Sequence, residues 1–258
     1  MGSELENLSK QYRMFLKDTV RKSIDFSQTD QSRGIDPPPI EKPCPPGATR
    51  IGLPGPGEWN IPAKGVEEAI RDRRSRRSYT REPLTLDETA FLLWATQGIR
   101  AMRPPISAFR TVPSAGCRHA FETYVGALNV EGLDAGVYRY LPLSHELASE
   151  FAEDGLPERF AQASFGQRFV GEGAAVFVWT TIPYRMEWRY GPHAHKVIAL
   201  DAGHVCQNLY LACEAIGAGT CAVAAYDQEA MDALLRVDGD DEFTIYLAPV
   251  GKVEDKTA

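Results

Sequence analysis

Apolar residues recur at helical spacing over residues 4–25, where Leu5, Leu8, Tyr12, Phe15, Val20 and Ile24 fall on one face. The pattern then breaks. Residues 29–62 hold nine of the eighteen prolines and five glycines, which excludes a regular helix or a central strand. Ile51, Leu53, Trp59 and Ile61 give this stretch more apolar surface than a free linker carries, so it reads as an extended arm that packs on something, a partner subunit being one option. Regularity returns at residue 65. Val66–Arg71 predicts a short helix. Thr85 and Glu88 make a T-x-x-E capping box ahead of Phe91, Leu92, Trp94 and Ala95, predicting a helix over 86–98 closed by Gly98.

Strands are predicted at Phe121–Leu128 and Gly136–Tyr140, with a buried one at Ala174–Thr181, where the β-rich run is continuous. Residues 197–216 carry the strongest helical pattern, with Ile198, Ala202, Val205, Leu209, Ala212 and Ile216 on one side and small or apolar residues on much of the other. A helix apolar nearly all round is central and buried, or an oligomer interface. A strand at Cys221–Ala225, a helix at 228–236 and a strand at Phe243–Val250 complete the chain. The order mixes helices and strands without strict βαβ alternation, so the fold class is α+β. The boundaries divide it into an N-terminal helix and proline-rich arm, 1–62, and a main domain, 63–258.

Composition narrows the function classes. Across 258 residues the net charge is −7, which argues against nucleic acid or an anionic membrane as partner. No apolar run is long enough for a membrane span, and residues 1–17 lack a signal peptide's apolar centre. Five widely spaced cysteines without C-x-x-C predict a reduced, cytoplasmic protein without a zinc site.

Four places carry candidate chemistry. Residues 71–77 hold five arginines and one aspartate, and Arg73, Arg74, Ser75 and Arg77 could converge on a phosphate. On composition alone the run reads equally as a solvated basic patch or a nucleic-acid patch. Pro113-Ser114-Ala115-Gly116 is a small-residue turn that admits a flat ligand, or simply a turn into the next strand. Gly217 reads as a helix C-cap, after which Gly219 and Thr220 are expected to enter a strand with exposed amides. His193, His195 and His204 lack the acidic companions of a hydrolytic zinc site, and His204 reads as a core residue.

Together these features are recognisable. The R-R-S-x-R-x-[FY] turn at Arg73–Tyr79, the P-S-A-G turn, and a long helix running into Gly217-Ala218-Gly219-Thr220-Cys221 resemble the nitroreductase superfamily of FMN enzymes. Tyr190-Gly191, Asp201–Val205, Gln207–Leu209 and the ending EFTIYLAPVGK (Glu242–Lys252) resemble its SagB/ThcOx-type dehydrogenase branch. The resemblance covers about residues 65–253. It implies a nitroreductase-like fold, with a mixed or antiparallel sheet flanked by helices. It also implies a homodimer with FMN at the subunit interface and residues 197–216 as the interface helix. Arg73, Arg74, Ser75 and Arg77 would hold the phosphate and ribityl chain, with Gly251 and Lys252 closing on the phosphate. Ser114, Ala115 and Gly116 would lie by the flavin from the second subunit, and Ala218, Gly219 and Thr220 against the isoalloxazine. The implied reaction is two-electron transfer through flavin N5 between NAD(P)H and a small organic substrate. The alternatives are oxidation of azolines in a modified peptide and flavin binding without turnover. Azoline oxidases of the branch use a Lys-Tyr pair. Here Arg189-Tyr190 stands at that place, leaving Tyr190 as the catalytic candidate, because arginine stays protonated.

Overall fold

A computed structural model describes residues 2–103 and 107–254. The chain opens with α1 (Gly2–Leu16). The helical pattern of residues 4–25 extends past it, but the α-helix stops there and Asp18–Ser23 forms a 3-10 turn. Thr19 and Val20 are β-branched and stiff in a helix, and the turn is held from outside, by Arg21 bonding both Asp18 (2.8 Å) and His193 (2.6 Å). Next come β1 (Arg50–Gly52), α2 (Val66–Asp72), α3 (Leu86–Gln97), β2 (Ile99–Arg103) and β3 (Ser107–Arg110). The second half holds β4 (Phe121–Ala127), β5 (Gly136–Leu141), β6 (Glu146–Phe151), α4 (Leu156–Ala163) and β7 (Ala175–Thr181). It ends with α5 (Tyr184–Tyr190), α6 (Ala194–Ala215), β8 (Ala218–Thr220), α7 (Gln228–Leu235) and β9 (Phe243–Lys252).

Seven strands form one sheet in the order β1-β6-β5-β4-β7-β9-β8, with every neighbouring pair antiparallel. The fold is α+β, as expected. Helices cover both faces. Ala175, Phe177 and Trp179 of β7 pack with Leu92, Leu93, Ile198, Val205 and Leu209 of α3 and α6. Val176 and Val178 pack with Leu156 and Phe160 of α4 and Met231 and Leu234 of α7. A strand covered on both faces has no solvent side, which explains the apolar run from Ala174 to Trp179.

The capping box forms as predicted, with Thr85 Oγ1 accepting from Glu88 N and Glu88 Oε2 from Thr85 N. Gly98 ends α3 with an ordinary φ of −59°. Its reason is space, because a Cβ there would lie 2.3 Å from the Trp94 ring. One strand is displaced. Cys221–Ala225 forms no strand beyond an isolated bridge from Val223 to Leu247, and the paired residues are Ala218–Thr220. β-propensity favours the former, but backbone pairing with the end of β9 is available only to the latter.

The proline-rich arm lies on its own chain. Prolines donate no amides, so the arm's carbonyls are satisfied by buried cations. Arg110 donates to Ile40 O (2.8 Å), and Arg139 to Lys42 O (2.9 Å) and Pro43 O (3.0 Å). The Trp188 indole donates to Ile35 O at 2.9 Å. Further along, β1 adds to the sheet edge at β6, and Trp59 packs against Phe91 and Trp94.

Beneath the arm Glu122 is buried. It accepts from Lys42 N (2.7 Å), Arg185 (2.5 Å) and Arg139 (3.4 Å). Removing that charge leaves Arg185 buried without its carboxylate. Glu122→Gln should therefore destabilise the protein by about 3–5 kcal/mol, read as a lower urea midpoint. A second prediction concerns acid. His119 is buried near Arg110, and burial, helped by that charge, pushes its pKa down to about 3. An unfolded histidine takes its proton near pH 6.5, so between there and about 3 the unfolded chain binds the extra proton. The His119 contribution is fully present above pH 6.5 and lost as pH falls toward 3. His119→Asn should flatten the loss of stability measured over that window.

Candidate functional site

After α2 the arginine-rich segment crosses the end of the sheet. Arg76 N donates to Thr220 O (2.9 Å) and Thr80 N to Lys252 O (2.8 Å). Gly219 and Gly251 stand opposite each other in the β8–β9 register. A Cβ on Gly219 would lie 2.5 Å from Arg76 Cγ, and one on Gly251 would lie 2.8 Å from Tyr79 Cγ. The glycine pair is what lets the segment lie flat on the strands. Tyr79 locks it, its hydroxyl donating to Arg76 O at 2.9 Å, and burial pushes that phenol up.

The arginines then fan out. Arg73 sits over the Tyr210 ring (5.2 Å) and Arg77 over Phe169 (5.7 Å), while Arg74 is exposed. Ser75 Oγ is 2.9 Å from the Tyr210 hydroxyl, which also receives Ala222 N at 2.8 Å. Asp72, the one acid of the run, is taken by Arg71 and Lys64. That leaves Arg73, Arg74, Arg76 and Arg77 without a carboxylate partner among the described residues. Ser75, Arg77, Ser78 and Thr80 line a surface cavity of about 320 Å³ with Glu254 at its rim.

Two expectations change here. Ala218, Gly219 and Thr220 are buried and paired, so Gly219 and Thr220 do not present exposed amides. Lys252 points inward, its ammonium bonding Glu88 (2.5 Å) and Ile216 O (2.7 Å). Gly217 does close α6, in the left-handed region at φ +62°.

A second cluster surrounds the P-S-A-G turn. Asp201 of α6 is buried and accepts from Ala115 N (3.2 Å) and from the Ser114 hydroxyl. Burial raises its carboxyl, and those two bonds pull it back down. Ser114 Oγ in turn accepts from His119 N at 3.0 Å. Gly116 has φ +59°, and a Cβ there would lie 2.7 Å from the Tyr190 hydroxyl and 2.9 Å from Arg189 Cδ. The structure thus brings Ser114, Ala115 and Gly116 together with Tyr190. It does not bring them to the arginine run on one chain. Asp201 and Tyr210 anchor the two clusters on α6, nine residues apart, about 13 Å along the axis.

Beside Asp201 and between the anchors, the outer face of α6 carries Leu200 (57% exposed), Gly203, His204 and Gln207. His204 is exposed on this face, 3.8 Å from Asp201, and is not a core residue. His193 meets Asp18 and Arg21, and His195 meets Glu187. Among the described residues no three His, Cys, Asp or Glu are placed to hold a metal ion, and no helix is long and apolar enough to cross a membrane. Of the aromatics in 140–196, Phe151, Phe160 and Trp188 are buried, and Phe169 and Tyr190 pack against the core. Phe165 and Tyr184 are exposed. Reasoning from the sequence missed Asp201 and Tyr210 as anchors. An acid inside an otherwise apolar helical stripe was the available signal for the first.

The Nitroreductase family model matches residues 70–252. A Methanocaldococcus jannaschii protein described as a nitroreductase is 32% identical over 187 residues, 72% of this chain and 90% of its own. The Trifolitoxin-processing protein TfxB of Rhizobium leguminosarum bv. trifolii is 29% identical over 133 residues, half of this chain and 36% of its own. In fold, the chain is similar to an Anabaena variabilis protein described as a nitroreductase (TM-score 0.65, 24% identity, 81% of this chain and 42% of that one). It is also similar to a chain of the E. coli microcin synthetase McbBCD complex with truncated pro-MccB17 bound (TM-score 0.59, 20% identity, 79% and 78%). With its three-layer fold and its matched span from α2 to the end of β9, the chain belongs to the nitroreductase family.

Proposed function

We propose that this protein is an FMN-dependent oxidoreductase, with residues 63–258 as the flavin-binding unit and 1–62 as its arm. The observation that carries the reading is the arginine segment held flat on the Gly219–Gly251 pair, with four guanidinium groups that have no carboxylate within ion-pair distance among the described residues. That donor set suits a phosphate. Arg73, Arg74 and Arg77 supply charge-assisted bonds, Ser75 adds a hydroxyl, and the cavity lined by Ser75–Thr80 gives the group room. When bound, FMN supplies two-electron transfer through its N5 atom between a reductant such as NAD(P)H and a small organic substrate.

The rest of the proposal concerns what the chain's own groups do. Ala218, Gly219 and Thr220 set the distance between the strands and the bound group. Gly251 leaves room for Tyr79, and Lys252 ties β9 to Glu88 and the end of α6. Two clusters about 13 Å apart along one helix suit a homodimer of two-fold symmetry, in which the P-S-A-G turn of one subunit faces the arginine segment of the other. The exposed Leu200 and Gly203 on one face of α6 support that contact. Tyr190, with its hydroxyl against Gly116, is the group placed to hold or move a proton. A cytoplasmic setting belongs to the same proposal, supported by five cysteines that all remain thiols.

A second reading has its own support. The likeness to TfxB, a trifolitoxin-processing protein, favours the SagB/ThcOx-type reaction on a modified peptide. Arg189 weighs against it, because a guanidinium is a poor base.

The purified protein should show oxidised-flavin absorbance that bleaches on anaerobic addition of NADPH or NADH. Bands that persist with both nucleotides would instead favour a dedicated substrate such as a peptide azoline. Protein that neither carries nor takes up FMN would overturn the flavin reading. Gly219→Ala pushes a methyl into Arg76 and should weaken FMN binding about tenfold or more by titration, while Gly52→Ala on β1, which meets nothing within 4 Å, should not.

A further inference from the structure

A cavity of about 340 Å³ lies between the arm and α5, outside the arginine segment, lined among others by Arg21, Phe26, Gln31, Ser32, Arg189 and Tyr190. It adjoins the P-S-A-G turn, because Gly116 lies against both Arg189 and Tyr190. The arm segment forming its other wall is fixed, since Gln31 N donates to Trp188 O at 2.9 Å. We propose that this cavity binds the carboxylate of a small planar acid on the Arg189 guanidinium, and that this acid is the substrate of the neighbouring flavin site.

Three observations carry the assignment. Arg189 is half-buried, yet its partners are neutral. Nη1 donates to Gln31 Oε1 (3.1 Å) and the guanidinium lies 5.5 Å from the centre of the Tyr190 ring, with no carboxylate in ion-pair reach among the described residues. A guanidinium fork so placed has donors left for two carboxylate oxygens. Second, the surroundings are cationic. Burial and the nearby Arg189 both disfavour the charge of Arg118, and Asp18, the acid near Arg21, already accepts from the Arg21 guanidinium. Third, Phe26 and Tyr190 offer aromatic surface on which a flat acid can stack. Arginine at the position where a lysine base stands in the azoline oxidases is then a specificity residue, binding an anion where those enzymes remove a proton.

The proposal rests on the flavin reading only for calling the acid a substrate. Calorimetry on the purified full-length protein, with benzoate as probe and benzamide as its neutral counterpart, tests it. Benzoate should bind at least tenfold more tightly than benzamide. Arg189→Gln should abolish that preference, and Arg189→Lys, which keeps the charge but not the fork, should keep only part of it. Thermal unfolding of each variant checks that it is folded, and if Arg189→Gln does not fold, Arg189→Lys decides. Equal binding of the two probes by the wild type overturns the proposal. So does a full preference retained in a folded Arg189 variant, which would place the anion on Arg73–Arg77. FMN content is read by absorbance on the same samples. A benzoate preference that depends on Arg189 in protein unable to bind FMN supports the pocket and counts against the flavin reading alone.

Discussion

The carboxylate of Glu122 is the interaction on which the arrangement turns. It sits inside the protein on β4 and receives the arm through Lys42 N, β5 through Arg139 and α5 through Arg185. A buried carboxylate is costly unless every lone pair is used, and here three separate elements use them. Its neighbour Glu242 repeats the device, accepting from Lys42, Tyr124 and Thr180. The arm is thereby part of the folded domain, and α5, which carries Trp188, Arg189 and Tyr190, is held in register with the sheet.

The site inherits its geometry from that frame. Trp188 bonds the arm at Ile35 and lies 4.7 Å from the Arg118 guanidinium, and the next two residues form the wall against Gly116. At the other end of α6, a pair of glycines in register allows the arginine segment to rest on β8 and β9. One long helix anchors both clusters, through Asp201 and through Tyr210. Positions along a rigid helix are fixed by its rise, so each anchor holds its cluster at a set separation.

The chemistry is divided between these places by charge. The arginine segment offers guanidinium groups at the surface, suited to a phosphate. The cavity by Arg189 offers a single fork among aromatic rings, suited to a carboxylate. Among the described residues neither Arg73, Arg74, Arg76 and Arg77 nor Arg189 has a carboxylate within ion-pair distance, in a chain that is acidic overall, and Asp72 is engaged by Arg71 and Lys64 and Asp18 by Arg21.

Much of this was legible in the chain itself. The capping box at Thr85 and Glu88, the buried strand at 174–181 and the long helix read at 197–216, which the structure starts at Ala194, follow from local pattern. Proline spacing announced the arm, and the arginine run with its P-S-A-G and Gly217–Cys221 companions announced the family. What the sequence could not decide were the elements that exist only through pairing. β1 and β6 are strands because they lie beside each other and β5, and β8 is Ala218–Thr220 instead of Cys221–Ala225 because β9 ends opposite it. The helix from Gly2 stops at Leu16, and the 3-10 turn that follows is tied through Arg21 to His193, far along the chain. Lys252 turns inward to Glu88, and His204 outward, for reasons set by neighbours distant in sequence. Periodicity and turn chemistry act over a few residues and can be read directly. Register, burial on a given face and the partner of a charge depend on long-range contacts, and those were decided only when the chain folded.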